Sequence, residues 1–181
     1  FRDAMEIPFN LMEKYQDIIK NLSFNHLSIM GAASLEAIFN TGVRCALLLV
    51  VYLMYGIECY WTAFLFIYPL IVLLMLGFAL SMWIMPLYLM YRDVPRLFGY
   101  ATQFGFLFTP IVYQMPEQGV LKWIVLINPV SAPLMSLRDF ILYGETEYIV
   151  LTNIVFLIAL VLFVSGIKVY KITCRRIVER I

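Results

Sequence analysis

Charge is what this sequence has least of. Only 14% of its 181 residues are Asp, Glu, Lys or Arg, where a soluble domain carries about 25%. A surface facing water needs more than that, so the deficit excludes an ordinary soluble domain. Histidine is nearly missing too. His26 is the one example, with no partner arrangement for metal or general-base work, and an interfacial polar residue is its plainer reading. The three cysteines, Cys45, Cys59 and Cys174, lie far apart without metal or redox spacing and read as ordinary apolar residues. No GxxxxGK(S/T) occurs, so nothing in these residues cradles a nucleoside triphosphate. HExxH, CxxC and GxSxG are also missing, which removes the common hydrolase and redox signatures. A net charge of +1 gives no global field directed at nucleic acid. No cleavable signal peptide, repeat, linker or low-complexity tract is visible. The chain opens on Phe1, and its first residues read as the middle of something, so a missing N-terminus is expected.

What fills the sequence is apolar: 63% of it, against about 45–50% in soluble domains. The excess lies in long blocks, the longest being the charge-free run from Cys59 to Tyr91. A spanning helix needs about 20 mostly apolar residues, because hydrocarbon about 30 Å thick is crossed at 1.5 Å per residue. In lipid the backbone must satisfy its own hydrogen bonds, so such runs become helices. Four spans are predicted: 33–57, 61–88, 97–115 and 148–167. Pro69 and Pro86 kink the second or mark its end. Phe1–Ile19 is amphipathic and too polar for a lipid-exposed span. The uncharged stretch 123–137, between Lys122 and Arg138, is too short to cross and is broken by Asn128-Pro129 and Pro133. It reads as re-entrant, with Asn-Pro supplying the turn. The fold class is therefore all-α: a polytopic transmembrane helical bundle with a re-entrant extracytoplasmic segment at 116–147 and a cytoplasmic tail at 168–181.

Lys/Arg asymmetry orients the chain. With the segment before the first span inside, the inner side holds Arg2, Lys14, Lys20, Arg92, Arg96, Lys168, Lys171, Arg175, Arg176 and Arg180, and the outer side only Lys122 and Arg138. Trp61, Trp123, Tyr113, Tyr143 and Tyr148 then gather near the outer interface, as an aromatic belt does.

Three groups of residues could carry function. Glu36, Asn40 and Arg44 are spaced four apart and form a polar stripe on the first span. Intramembrane charges usually face the bundle interior or water; alternatively, a late span start leaves Glu36 among headgroups with Arg44 snorkelling towards it. On the third span, Gln103, Phe106, Thr109 and Tyr113 share a helical face. A mixed aromatic and polar face suits the passage of sugars, while helix packing with an interfacial Tyr113 is the alternative. The inner loop Tyr91-Arg92-Asp93-Val94-Pro95-Arg96 can be explained locally. Asp93 caps the next helix, Pro95 fits its first turn and the arginines anchor at headgroups. It could equally contact a cytoplasmic partner.

These stretches occur in an order that resembles a known family. Tyr91-Arg92-Asp93 is followed by Thr109-Pro110-Ile111-Val112-Tyr113 at a span end, Asn128-Pro129-Val130 at a turn, and Leu137-Arg138-Asp139 before Tyr143-Gly144. The pattern resembles permease subunits of type-2 ABC exporters, most of all those for O-antigen, capsular polysaccharide and teichoic acid. Those permeases show a YRD loop, an SPV(I/F)Y-like span end, an NP(L) turn and an FR-x-A-L-like helix. Here Thr109 stands for the usual Ser, and Asp139 follows Arg138. Residues 18–27 sit where the family has a segment like LIKKVNFPREL, without its Pro-Arg-Glu part.

The resemblance covers nearly all of the chain and implies that roughly the first third of a typical member is missing. It implies that 1–28 holds the inner end of a preceding span and a cytoplasmic coupling segment, with Glu13, Lys14, Asp17 and Lys20 as contacts for an ATPase. Asn128, Pro129 and Arg138 would belong to an extracytoplasmic gate. Implied partners are a separate ATP-binding cassette subunit, a second permease copy in a homodimer, lipid-linked polysaccharide and membrane lipids, with no nucleic acid. The permease itself would be no enzyme and bind no cofactor or metal, ATP being held by the partner, and it would sit in the bacterial cytoplasmic (inner) membrane. Alternatives are a drug or lipid exporter of the same superfamily, a membrane-embedded enzyme acting on a lipid-linked substrate, and a structural scaffold. The enzyme would need a carboxylate pair, histidine or metal cluster at the interface, and no such cluster is found.

Overall fold

The computed structural model describes residues 1–15, 26–55, 61–91, 94–110 and 119–178. They form α1 (Arg2–Lys14), α2 (His26–Met54), a 3₁₀ segment (Trp61–Phe66), α3 (Ile67–Met90), α4 (Val94–Phe108), α5 (Val120–Ile127), α6 (Ser131–Leu142) and α7 (Ile149–Val178). No strand occurs among the described residues, so the all-α expectation holds.

Three helical stretches are long and apolar enough to cross a membrane: Ser28–Met54, Trp61–Tyr88 and Ile149–Thr173. The shortest has 25 residues, about 37 Å of helix against a core of about 30 Å. These correspond to the first, second and fourth expected spans, the second with the same ends and the other two with shifted ones. The first begins earlier than 33, the second opens on a 3₁₀ turn before Pro69, and α7 continues past 167 to Val178. From Ala46 to Met54 nearly every residue of α2 is exposed, though most are Leu, Val, Met or Tyr. A helix apolar on all sides is stable where its surroundings are apolar too.

Of the third expected span, the described residues cover 97–110. A helix was expected over 97–115, but α4 ends at Phe108 after 15 residues. Pro110 is the physical reason. Its ring disfavours helical geometry at the residue before it, and Thr109 and Pro110 are non-helical. Residues 111–118 lie outside the described part.

The chain divides into two compact units. The first comprises Phe1–Glu58, Gly77–Arg92 and Leu162–Ile181. Within it α1 packs on α2 and also lies along the second half of α3. A Cβ at Gly77 would stand 2.8 Å from the Phe1 carbonyl oxygen and 2.9 Å from Ala4 Cβ. Further along both helices, the Phe9 and Tyr88 rings stack at 4.7 Å. The two therefore run in the same direction. A Cβ at Gly166 of α7 would likewise stand 3.1 Å from Met82 Cβ. Small residues at such crossings are the usual device in lipid, where packing rather than water expulsion holds helices together. Trp83 completes this contact, its Nε1 donating to the Leu162 carbonyl at 3.1 Å and Ser165 Oγ at 3.3 Å.

The second unit comprises Cys59–Leu76 and Asp93–Val161. Here the 3₁₀ segment and α5 both pack on α6. Tyr68 donates to Asn153 Oδ1 on α7, and its ring tilts against Phe156. Between α5 and α6 the chain turns at Asn128-Pro129. Asn128 Oδ1 accepts from the Val130 N–H at 3.1 Å and its carbonyl from Ser131 N–H. This is how an Asx side chain builds a turn.

Candidate functional site

In the first unit the polar stripe of α2 is the centre of interest. Glu36 is exposed, Asn40 half-buried and Arg44 exposed. Glu36 lies eight residues into the membrane-length stretch that starts at Ser28, about 12 Å along the axis. Arg44 has a partner that the spacing of the stripe did not reveal. Its Nη1 is 2.8 Å from Asp3 Oδ2 on α1, with the Asp3 side chain 18% exposed and that of Arg44 67%. The contact is an ion pair by distance, although its angle misses hydrogen-bond geometry. Asp3 therefore reaches the same depth as a charge well inside a 27-residue apolar helix. On the exposed face of α1, Arg2 and Glu6 pair at 2.8 Å.

At the other end of α1, Tyr88 Oη donates to Glu13 Oε2 at 3.0 Å, and Lys14 Nζ stands 5.5 Å from the Tyr15 ring centre. Of the coupling candidates, Glu13 is thus tied to α3, while Asp17 and Lys20 lie outside the described residues. Tyr91 is exposed at the end of α3; Arg92 and Asp93 are outside. Pro95 falls in the first turn of α4.

In the second unit, Gln103 is exposed on α4. Thr109 is buried just past its end and donates to the Gly105 carbonyl at 2.8 Å. Phe106 lies within α4, but its side chain is outside the description, as is Tyr113. The helical face expected to unite the four therefore runs through 103 and 106 and is not helical at 109. Of the expected gate residues, Asn128 makes the turn, Pro129 is exposed and Arg138 is half-buried on α6.

Beside Arg138 lies a polar cluster that the sequence reading missed. Ser136 Oγ and Thr152 Oγ1 are 2.7 Å apart, both fully buried. Thr146 Oγ1 donates to Asp139 Oδ2 at 3.1 Å and accepts from the Tyr148 N–H at 3.1 Å. The cluster ties α6 to the start of α7. Burial pushes the Asp139 carboxyl above the ordinary range and Glu147 adds to this, against Thr146 and Arg138, which favour its charged form. Burial likewise raises the Tyr148 hydroxyl, with Asp139 and Glu147 contributing. No group of three His, Cys, Asp or Glu among the described residues is placed to hold a metal.

Comparison with known proteins adds one relative. No protein-family model matches the chain. Over 97 residues, 52% of its length, the chain is 28% identical to the O-antigen export system permease protein RfbA of Klebsiella pneumoniae. The match covers 36% of that relative's own length. Membrane-length helices and this likeness together describe an integral membrane protein similar, over half its length, to a transport permease.

Proposed function

We propose that the chain is the membrane-spanning permease part of an ATP-driven exporter of lipid-linked polysaccharide. The observation that carries this reading is the likeness to an O-antigen export permease, in a chain whose apolar helices have membrane length. Two copies would enclose the path, and a separate ATP-binding cassette subunit would supply the ATP. The motor biases the permease only through different affinities for its two states. Contact with the motor would fall on the segment from Glu13 to Lys20, joined to α3 through the Glu13–Tyr88 hydrogen bond. The cargo would pass Gln103, Phe106, Thr109 and Tyr113, and the helical pair around Asn128, Pro129 and Arg138 would close the outer end.

Deletion of the gene in its own host tests the reading. Surface polysaccharide should be lost, lipid-linked polysaccharide should accumulate within the cell, and both should be restored by the intact gene. Replacing residues 14–21 should leave membrane insertion intact and abolish export together with stimulated ATP hydrolysis. Unchanged surface polysaccharide alongside lost efflux of hydrophobic dyes would overturn the proposal in favour of a drug exporter.

A further inference from the structure

The cytoplasmic end of α7 carries cations that neither the fold nor the proposed transport uses. Residues 168–181 hold Lys168, Lys171, Arg175, Arg176 and Arg180 against Glu179 alone, a net charge of +4 from five cations and one acid. Helix α7 continues through Val178, so positions 168 and 171, spaced by three, share one face. Lys168 and Lys171 are exposed, and neither has an ion-pair partner among the described residues. One turn earlier the same face shows Val164, also exposed. The outward side of the helix is apolar up to Val164, and from Lys168 on it carries two lysines beside the exposed Ile172.

Two further observations fix where this change falls. First, the helix cannot rotate its lysines inward. Tyr170, between them, is 0% exposed, Gly166 sits against Met82 and Trp83, and the Trp83 indole is bonded to Leu162 and Ser165. Second, Lys168 is 19 residues beyond Ile149, the first residue of the membrane-length stretch, or about 29 Å of helix. That is close to the hydrocarbon thickness of about 30 Å, so a core that begins at Ile149 ends at Lys168. Lys171 lies one turn further, in the headgroup layer.

We propose that Lys168 and Lys171 form a binding strip for anionic phospholipid headgroups. An ammonium at the edge of the hydrocarbon that no carboxylate among the described residues neutralises is matched by a lipid phosphate at the same depth, and basic clusters just inside a membrane helix attract anionic lipids on this principle. The strip is independent of what the protein carries. Its failure would leave the transport reading untouched, and failure of that reading would leave the strip in place.

Trp83, 42% exposed and bonded to α7 at Leu162 and Ser165, is a built-in reporter. The whole chain carrying W61F and W123F, so that Trp83 is the sole tryptophan, is placed in vesicles of phosphatidylcholine and phosphatidylglycerol. One lipid or the other is brominated on its acyl chains. At equal mole fraction, brominated phosphatidylglycerol should quench Trp83 as though locally enriched about fivefold, the ratio that one lysine–headgroup contact gives. The preference should fall to about one in K168Q/K171Q, survive in K168R/K171R, and weaken in high salt. Equal quenching by both lipids, or a preference that persists in K168Q/K171Q, overturns the proposal. So does equal quenching combined with loss of a co-purifying ATPase in K168Q/K171Q, which would assign the lysines to a protein partner.

Discussion

Arg44 brings a full charge into an apolar helix, and Asp3 answers it across 2.8 Å. Removing one member of such a pair costs more than removing both, because the survivor is left charged in hydrocarbon. Asp3→Ala should therefore lower stability by about 2.5–3.5 kcal/mol, the cost of a lone arginine near a helix centre. Adding Arg44→Ala should recover most of the loss. Reversible unfolding in detergent micelles, run as a double-mutant cycle, reads the coupling. Additive losses would show that the two side chains do not sense each other. Asp139 makes a prediction of opposite character. Burial raises its carboxyl, so above the ordinary value of about 3.9 the folded chain binds more protons than the unfolded one. Stability then falls as pH rises through that window. Thr146→Val, which removes a bond favouring the charged form, should carry the decline to higher pH, and Asp139→Asn should flatten it. Melting temperatures in detergent from about pH 4 to pH 8 would show this; a slope unchanged in Asp139→Asn would assign the dependence elsewhere.

Helix contacts explain which parts of the fold were legible beforehand. Missing charge and long apolar runs mark α2, α3 and α7, because lipid imposes the same demand on every residue of a span. The stripe Glu36, Asn40 and Arg44 was legible from its spacing of four. Its partner was not, because Asp3 lies 41 positions before Arg44 and meets it only when α1 packs on α2. The Ser136–Thr152 pair was hidden for a related reason: a lone hydroxyl in an apolar stretch looks the same whether it packs or bonds. The end of α4 was misjudged because hydropathy continues beyond Phe108 while Pro110 stops the helix. Close contacts at glycine were equally silent in the sequence, and they allow an ordering. A Cβ at Gly77 would lie 2.8 Å from a backbone oxygen, which cannot move without its helix, whereas at Gly166 the nearest atoms are side-chain carbons at 3.1 and 3.2 Å. Gly77→Ala should thus destabilise by about 1–3 kcal/mol, the usual cost of overpacking, and Gly166→Ala by less. Thermal denaturation of the two purified variants checks the order, and the reverse order would show that α1 does not hold α3 this closely.

For the whole molecule, counting crossings turns the short α4 into a test. If α2 leaves the cytoplasm and α3 returns, Tyr91 lies inside. If Lys168, Lys171 and the arginines after them also lie inside, as an excess of positive charge predicts, α7 begins outside, near Glu147. The chain between Tyr91 and Glu147 then crosses the membrane an odd number of times. Helix α4 is the candidate, yet its 15 residues give only about 22 Å of helix, short of a core of about 30 Å. Crossing therefore requires the residues after Pro110 to supply the remaining depth. Single cysteines at Glu147 and at Lys171, in a chain with Cys45, Cys59 and Cys174 replaced by serine, distinguish the arrangements. A membrane-impermeant maleimide should label the Glu147 site in intact cells and the Lys171 site only after permeabilisation. Labelling at Glu147 that also requires permeabilisation would mean that the 91–147 segment returns to its own side. In that case either α7 runs the other way, against its charge, or it does not cross.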